Sequence, residues 1–347
     1  MIDIYGTLGP SCASEETLTE MFLAGMTGLR LNLSHQSLHE STRELALFRT
    51  AAQKAGVRPR LLVDLQGPEL RIGFLKAPLI LCEDDSVKIY DEGIAEEERL
   101  KLRMGGRRLI PVPGAVFAVL REGMEILLDD GRILLKVQGA EDGYFTARIL
   151  RGGLLAGRKS IKIVDVDIQP PTMTAMDLRN IRDLTACGVT GVMQPFVRSR
   201  EDLLEVRRAL RENGAGSLQL VAKIENRAGL LQLEDLLPAC DAICIARGDL
   251  GNDMDLWQLP GVQKQIAAAC KKTGRYFMVA TQMLDSMENR AVPTRAEVND
   301  IFNTVLDGAG GVMATGETAV GKYPVDVIRY LARTAAEGER LRDIYLQ

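Results

Sequence analysis

The sequence predicts an α/β fold: a (β/α)8 TIM barrel with an inserted β-barrel domain after its third strand. Three observations predict it. Short β-like runs alternate with longer helical patterns, as parallel strands do when right-handed crossovers join them. The strand–helix pairs number eight, the count that closes a barrel. Between residues 71 and 166 the period changes to consecutive strand-like runs, too long a stretch for a barrel loop.

The expected barrel strands lie near 2–6, 28–33, 60–64, 190–194, 218–224, 241–245, 276–280 and 310–314. Helical patterns fall near 15–25, 38–55, 174–187, 199–213, 229–236, 257–273, 294–306 and 324–340. Ser14 before Glu15 and Glu16 marks one helix start, and Thr294 with Glu297 three residues later reads as a capping box. Inside the insertion, SVKIY, EILL, ILLKV and YFTARIL are strand-like, and the turn signals DDG (129–131) and EDG (141–143) separate them. The expected domains are therefore 1–70 (first part of the barrel), 71–166 (β-rich lid) and 167–347 (remainder of the barrel).

Composition narrows the function classes. The 347 residues are 46% hydrophobic and 26% charged, as in a folded globular protein. No apolar run is long enough to span a bilayer, so no membrane association is expected. The opening MIDIYGTLGP lacks a basic segment followed by an apolar stretch, so no secretory signal is expected. Six scattered cysteines without a C-x-x-C pair suit a reducing cytoplasmic compartment, and with only two histidines no zinc site is expected. A net charge of −4 without a basic block gives no nucleic-acid surface. An acidic protein that binds an anion must concentrate arginine and lysine locally.

Such concentration occurs at strand ends. In GLRLNLSH (28–35), Arg30, Asn32 and Ser34 share one face and Leu29, Leu31 and Leu33 the other. A polar stripe on a buried barrel strand is costly without partners. It reads as the wall of a polar site, with a structural hydrogen-bond network as the alternative. In LVAKIENRAG (220–229), Lys223 and Glu225 share a face, and one strand later ICIARGDLG (243–251) places Asp249 at a turn. Two carboxylates at adjacent strand ends suit octahedral Mg²⁺ or Mn²⁺, with water and substrate oxygens completing the shell. A neighbouring lysine would stabilise an enolate or a transferring phosphoryl group. A Lys–Glu ion pair plus a helix-capping Asp is the competing account. LLVDLQGPELRIG (61–73) adds Asp64, Glu69 and Arg71, VATQMLDSM (279–287) adds Thr281, and ATGETAVGKYP (314–324) adds Thr315, Glu317 and Thr318.

Together, RLNLSH, DLQGPELR, AKIEN, ARGDLG, ATQMLDSM, PTRAEV and GETAVGKYP resemble the pyruvate kinase family in order and spacing, over nearly the whole chain. The insertion carries the resemblance mainly through LLDDGRI. The resemblance implies a barrel A domain, a mobile B domain, and transfer of phosphoryl from phosphoenolpyruvate to ADP, giving pyruvate and ATP in glycolysis. The family's C-terminal regulatory domain, and control through it, are expected to be missing. A homodimer through the barrel would match family habit.

By matching motifs, Glu225 and Asp249 would ligate Mg²⁺, Lys223 would sit on the phosphoryl group and enolate oxygen, and Arg30 would bind the phosphate. Amides at Gly248 and Asp249, with the Thr281 hydroxyl, would hold the substrate carboxylate. The catalytic set is thus Lys223, Arg30 and Thr281, with Thr315 and Glu317 around the water of a proton relay. Asn32, Ser34, Asp64 and the carbonyl of Leu65 match the K⁺ site, and Glu69 implies K⁺ dependence. Asn32, His35, Arg71 and Lys159 fall where the family meets nucleotide.

Departures from the family pattern gather on the nucleotide side. Gln36, Ser160, Lys162, Val164 and Asp165 replace the family's Gly, Gly, Asn, Pro and Gly; Pro195 replaces a Ser, and Asp3 a Lys. They leave two alternatives: a related metal-dependent pyruvate-enolate enzyme (a lyase, or a transferase with another acceptor) and a non-catalytic homologue.

Overall fold

The computed structural model describes all residues except 1, 35, 96–107, 130, 167, 169, 346 and 347. The chain divides into two compact units, Met1–Gly67 with Thr172–Gln347, and Pro68–Pro171.

Eight strands of the first unit close a barrel. They are β1 (Asp3–Thr7), β2 (Gly28–Asn32), β3 (Arg60–Asp64), β12 (Gly191–Gln194), β13 (Gln219–Ile224), β14 (Ala242–Ala246), β15 (Tyr276–Ala280) and β16 (Gly311–Met313), with β4–β11 in the second unit. Every neighbouring pair is parallel, and β1 pairs with both β2 and β16, which closes the ring. Alternation decides what each strand buries. Inward positions such as Tyr5, Leu62, Met193, Val221, Cys244, Met278 and Met313 fill the barrel. Outward positions such as Leu29, Leu31, Val63, Ala222, Ile224, Ile245 and Val279 join the apolar layer shared with the helices. The barrel is a packed core, so polar inward side chains are left for its C-terminal rim.

The helices start where side chains take up orphan amides. Thr294 and Glu297 form the expected capping box. Two further boxes, Thr174 with Asp177 and Ser199 with Asp202, use aspartate at the third position. Ser14 caps through the Thr17 amide. Two local expectations are corrected. The pattern at 229–236 starts earlier, where the Asn226 side chain caps at the Gly229 amide, and divides into Arg227–Leu231 and Leu233–Leu236. Asp249 lies within a short helix, Arg247–Asp253, rather than in a turn. Two glycines there hid the helical pattern.

The second unit has its own core, built on Val87, Ile89, Ile110, Leu135, Ile149 and Ile161 among others. Its six-stranded sheet runs β11 (Ile161–Ile163), β7 (Glu125–Leu128), β8 (Ile133–Glu141), β9 (Tyr144–Arg151), β5 (Ser86–Asp91), β6 (Arg108–Val112). A two-stranded sheet pairs β10 (Gly153–Leu155) with β4 (Leu79–Leu81). Gly143, at φ 79°, supplies the left-handed residue of the expected EDG turn between β8 and β9.

Candidate active site

Four strands, β1, β2, β3 and β13, deliver charged or polar side chains to the C-terminal rim of the barrel. Asp64, the last residue of β3, accepts from two cations on one oxygen. Arg30 Nη2 lies 2.6 Å and Lys223 Nζ 3.0 Å from its Oδ2, and Arg30 Nε donates to the same oxygen at 2.8 Å. Lys223 also meets Glu225 Oε1 at 2.9 Å, while the Phe196 amide donates to Glu225 Oε2 at 2.8 Å. Arg30 Nη1 reaches Thr7 Oγ1 at 3.4 Å. Lys223, Glu225 and Asp64 are all buried.

Burial and charge compete here, and the outcome differs from residue to residue. Burial penalises the Lys223 ammonium, but Asp64 and Glu225 outweigh it and hold its pKa above the ordinary lysine value. Burial would also raise Asp64, yet Lys223 and Arg30 keep its carboxyl below the usual range. Glu225 is pushed up to about 7 by burial, with Asp249 and Asp64 adding to the rise against the pull of Lys223. The Asp249 charge therefore reaches Glu225.

The donor chemistry fits the implied cations. Among the described residues, no three His, Cys, Asp or Glu side chains stand close enough to hold a metal by themselves. Glu225 and Asp249 would suit a Mg²⁺ that took its other oxygens from substrate and water. Asp64 Oδ1 is buried without a hydrogen bond, an acceptor of the kind a monovalent cation takes up. Asn32 Oδ1 accepts from the Ser34 amide at 3.1 Å, the Asp64 carbonyl accepts from the Leu33 amide, and the Leu65 amide is spent on the Met193 carbonyl. Asn32, Ser34, Asp64 and Leu65 therefore stand at two adjoining strand ends.

Thr281 follows β15 with φ 71°, and Gln282 has φ 53°, both left-handed and neither glycine. Such conformations persist where surrounding contacts enforce them. The Thr281 hydroxyl accepts from the Gly248 amide at 2.7 Å and donates to the Ala280 carbonyl at 2.5 Å. Thr315 and Glu317 lie nearby in chain contact: Glu317 accepts from the Thr315 amide at 2.6 Å and from the Leu284 amide at 3.0 Å, tying the loops after β15 and β16 together.

Several residues that order this rim escaped sequence reasoning. Arg247 donates to the carbonyls of Thr281 and Gln282. Asp177 accepts from the amides of Gln66 and Gly67 and so holds the turn after β3. Asp202 accepts from the Arg198 amide and guanidinium and from Thr172, bracing the segment that presents the Phe196 amide. The only signal for the last two was their capping spacing, T-x-x-D and S-x-x-D.

A family model described as the pyruvate kinase barrel domain matches residues 1–328. The chain belongs to the pyruvate kinase family. It is 33% identical over 342 residues to a pyruvate kinase of Chlamydia trachomatis, covering 99% of this chain and 69% of that protein. To a pyruvate kinase of Geobacillus stearothermophilus it is 34% identical over 351 residues, covering 99% and 58%. To one of Agrobacterium vitis it is 35% identical over 340 residues, covering 97% and 68%. The family is one of phosphotransferases.

Four departures from the pyruvate kinase pattern, Pro195, Asp165, Gln36 and Asp3, have local accounts. Pro195 packs against Gly67, where an added Cβ would meet its ring at 2.4 Å, and the next residue, Phe196, takes φ 50° as it gives its amide to Glu225. Asp165 keeps a left-handed φ of 59° where the family has glycine, a conformation aspartate tolerates. Gln36 donates to Ser41 at 2.8 Å. Asp3 lies at the other end of the barrel, accepting from Tyr276 at 2.9 Å and facing Arg60 at 3.5 Å. In the second unit, Arg71 pairs with Glu69 at 2.6 Å and Lys159 with Asp129 at 2.7 Å. His35 lies outside the described residues. Among those residues no helix is long and apolar enough to cross a membrane.

Proposed function

We propose that this chain transfers the phosphoryl group of phosphoenolpyruvate to ADP, releasing pyruvate and ATP, with Mg²⁺ and K⁺ as cofactors. The observation that carries the reading is the cluster of Arg30 with the buried Asp64, Lys223 and Glu225 on one rim of the barrel. Glu225 and Asp249 would hold Mg²⁺, and Asn32, Ser34, Asp64 and the Leu65 carbonyl would hold K⁺. Bound there, the two cations would neutralise charge on the phosphoryl and carboxylate oxygens.

The chain's own groups account for the rest. Lys223, kept protonated by Asp64 and Glu225, faces the charge that builds on the transferring phosphoryl and then on the enolate oxygen. Arg30 orients the phosphate through the guanidinium edge not turned to Asp64. Phosphoryl transfer needs little covalent help from protein, so positioning and charge complementarity are the main contribution. Amides at Gly248 and Asp249 would hold the substrate carboxylate, with the Gly248 amide exchanging its present bond to Thr281. The Thr281 hydroxyl then serves enolate protonation through a water, which Thr315 and Glu317 would help to place.

An ATP-forming assay with phosphoenolpyruvate, Mg²⁺, K⁺ and several nucleoside diphosphates tests this reading. Formation of a nucleoside triphosphate supports it, and failure with every diphosphate across pH would remove it.

A second reading, a pyruvate-enolate enzyme with another acceptor, is favoured by one observation. Arg71 and Lys159, assigned to nucleotide, each already hold a carboxylate in the second unit. It expects metal-dependent exchange of pyruvate methyl protons with no nucleotide present. Exchange that strictly requires nucleotide counts against it.

A further inference from the structure

We propose that Arg247 is a positioning residue that sets the backbone of Thr281, and through it the hydroxyl assigned above to enolate protonation. The inference rests on that assignment for its catalytic meaning, but its geometry stands on Arg247 alone. The guanidinium is buried at the start of the short helix after β14. Its Nη2 donates to the Thr281 carbonyl at 3.0 Å and to the Gln282 carbonyl at 3.2 Å, and lies 3.0 Å from Met283 Sδ. Nε adds a longer bond to the Thr281 carbonyl at 3.3 Å.

The opposite edge of the guanidinium is anchored. Nη1 pairs with Asp300 Oδ2 at 2.7 Å, and Gln263 Oε1 accepts from it at 3.4 Å. Two helices, Leu259–Thr273 and Arg295–Leu306, thus fix the fork that grips the loop.

The gripped residues are the two that need gripping. Thr281 and Gln282 are consecutive non-glycine residues at positive φ, and Thr281 is β-branched, which makes that conformation unfavourable without enforcement. Turning the Thr281 carbonyl toward Arg247 directs its hydroxyl to the Gly248 amide. Arg247 and Gly248 are adjacent in the chain, so one short segment fixes both the hydroxyl and the amide it meets. A lysine has one ammonium in place of a planar fork and cannot hold two carbonyls and a carboxylate in the same geometry.

The test is a double-variant cycle of Arg247→Lys and Thr281→Ala, read by turnover and by hydrogen exchange at the Gly248 amide. Asp300→Asn is a milder third variant that leaves the guanidinium in place but loosens its anchor. Arg247→Lys should lower kcat about 100-fold, as a displacement near 1 Å does. The double variant should be no worse than Thr281→Ala alone, because both remove the same positioned hydroxyl. Gly248 exchange should quicken in Arg247→Lys and Thr281→Ala, and to a smaller extent in Asp300→Asn. Losses that add in the double variant, or Gly248 exchange unchanged by Arg247→Lys and by Asp300→Asn, overturn the proposal. If wild type makes no nucleoside triphosphate while Gly248 exchange responds as expected, the functional reading fails and the positioning stands.

Discussion

Lys223 and Arg30 converge on a single oxygen of Asp64, at 3.0 and 2.6 Å, at the rim of a barrel whose interior is filled by an apolar cluster. Two cations this close would repel strongly in a dry interior. Asp64 makes their coexistence affordable, and Glu225 takes the remaining side of Lys223. The arrangement holds two cations side by side at one rim of an acidic protein.

Replacing Asp64 with Asn should therefore harm both stability and activity. Breaking a buried ion pair by removing one partner costs about 3–5 kcal/mol. Here two cations lose their shared partner. Urea denaturation followed by fluorescence should show a lower midpoint than wild type. An unchanged midpoint would mean that Asp64 does not hold the pair.

Lys223→Met separates charge placement from metal binding. Turnover should fall by at least about 10³-fold, the scale on which lost electrostatic stabilisation of a transition state is measured. Mg²⁺-dependent binding of oxalate, followed by calorimetry, should survive because Glu225 and Asp249 remain. Retained turnover would show that Lys223 has no part in the chemistry.

Exchanging K⁺ for tetramethylammonium at constant ionic strength should suppress activity. Asp64 Oδ1 is buried and accepts no hydrogen bond from the protein, and a methylated cation is too large to coordinate it. Activity equal in the two salts would rule out a K⁺ requirement.

Asp202 supplies a pH prediction away from the reacting groups. Burial raises its pKa, but hydrogen bonds from Arg198 and Thr172 outweigh this and hold the carboxyl below the usual value. A depressed folded pKa gives stability that is fully present above the unfolded value, near ~3.9. That stability disappears as pH falls through the lower, folded value. Asp202→Asn should thus destabilise by about 1–3 kcal/mol at neutral pH, the cost of losing hydrogen bonds to a charged group. The gap from wild type should close in acid, and a gap independent of pH down to acid unfolding would contradict the assignment.

Most of the architecture was legible from periodicity. The observed strands Arg60–Asp64 and Tyr276–Ala280 coincide with the expected ones, and the other six barrel strands differ by one residue at one or both ends. Period-2 alternation also assigned Arg30 with Asn32, and Lys223 with Glu225, to shared faces, because side-chain direction in a strand follows from position alone. Arg247 was not legible in the same way. ARGDLG shows where a strand ends, and says nothing of a loop thirty-four residues later whose carbonyls would need a donor.

The amino-acid sequence by itself determined the barrel, the insertion, the family and the residue types that reach the rim, since each is written in local pattern or motif. The tertiary structure alone decided how the charges combine: which oxygen Arg30 and Lys223 share, which amide Glu225 receives, and which guanidinium holds Thr281. Those pairings join residues up to 159 positions apart, so they exist only once the ring of parallel strands has closed.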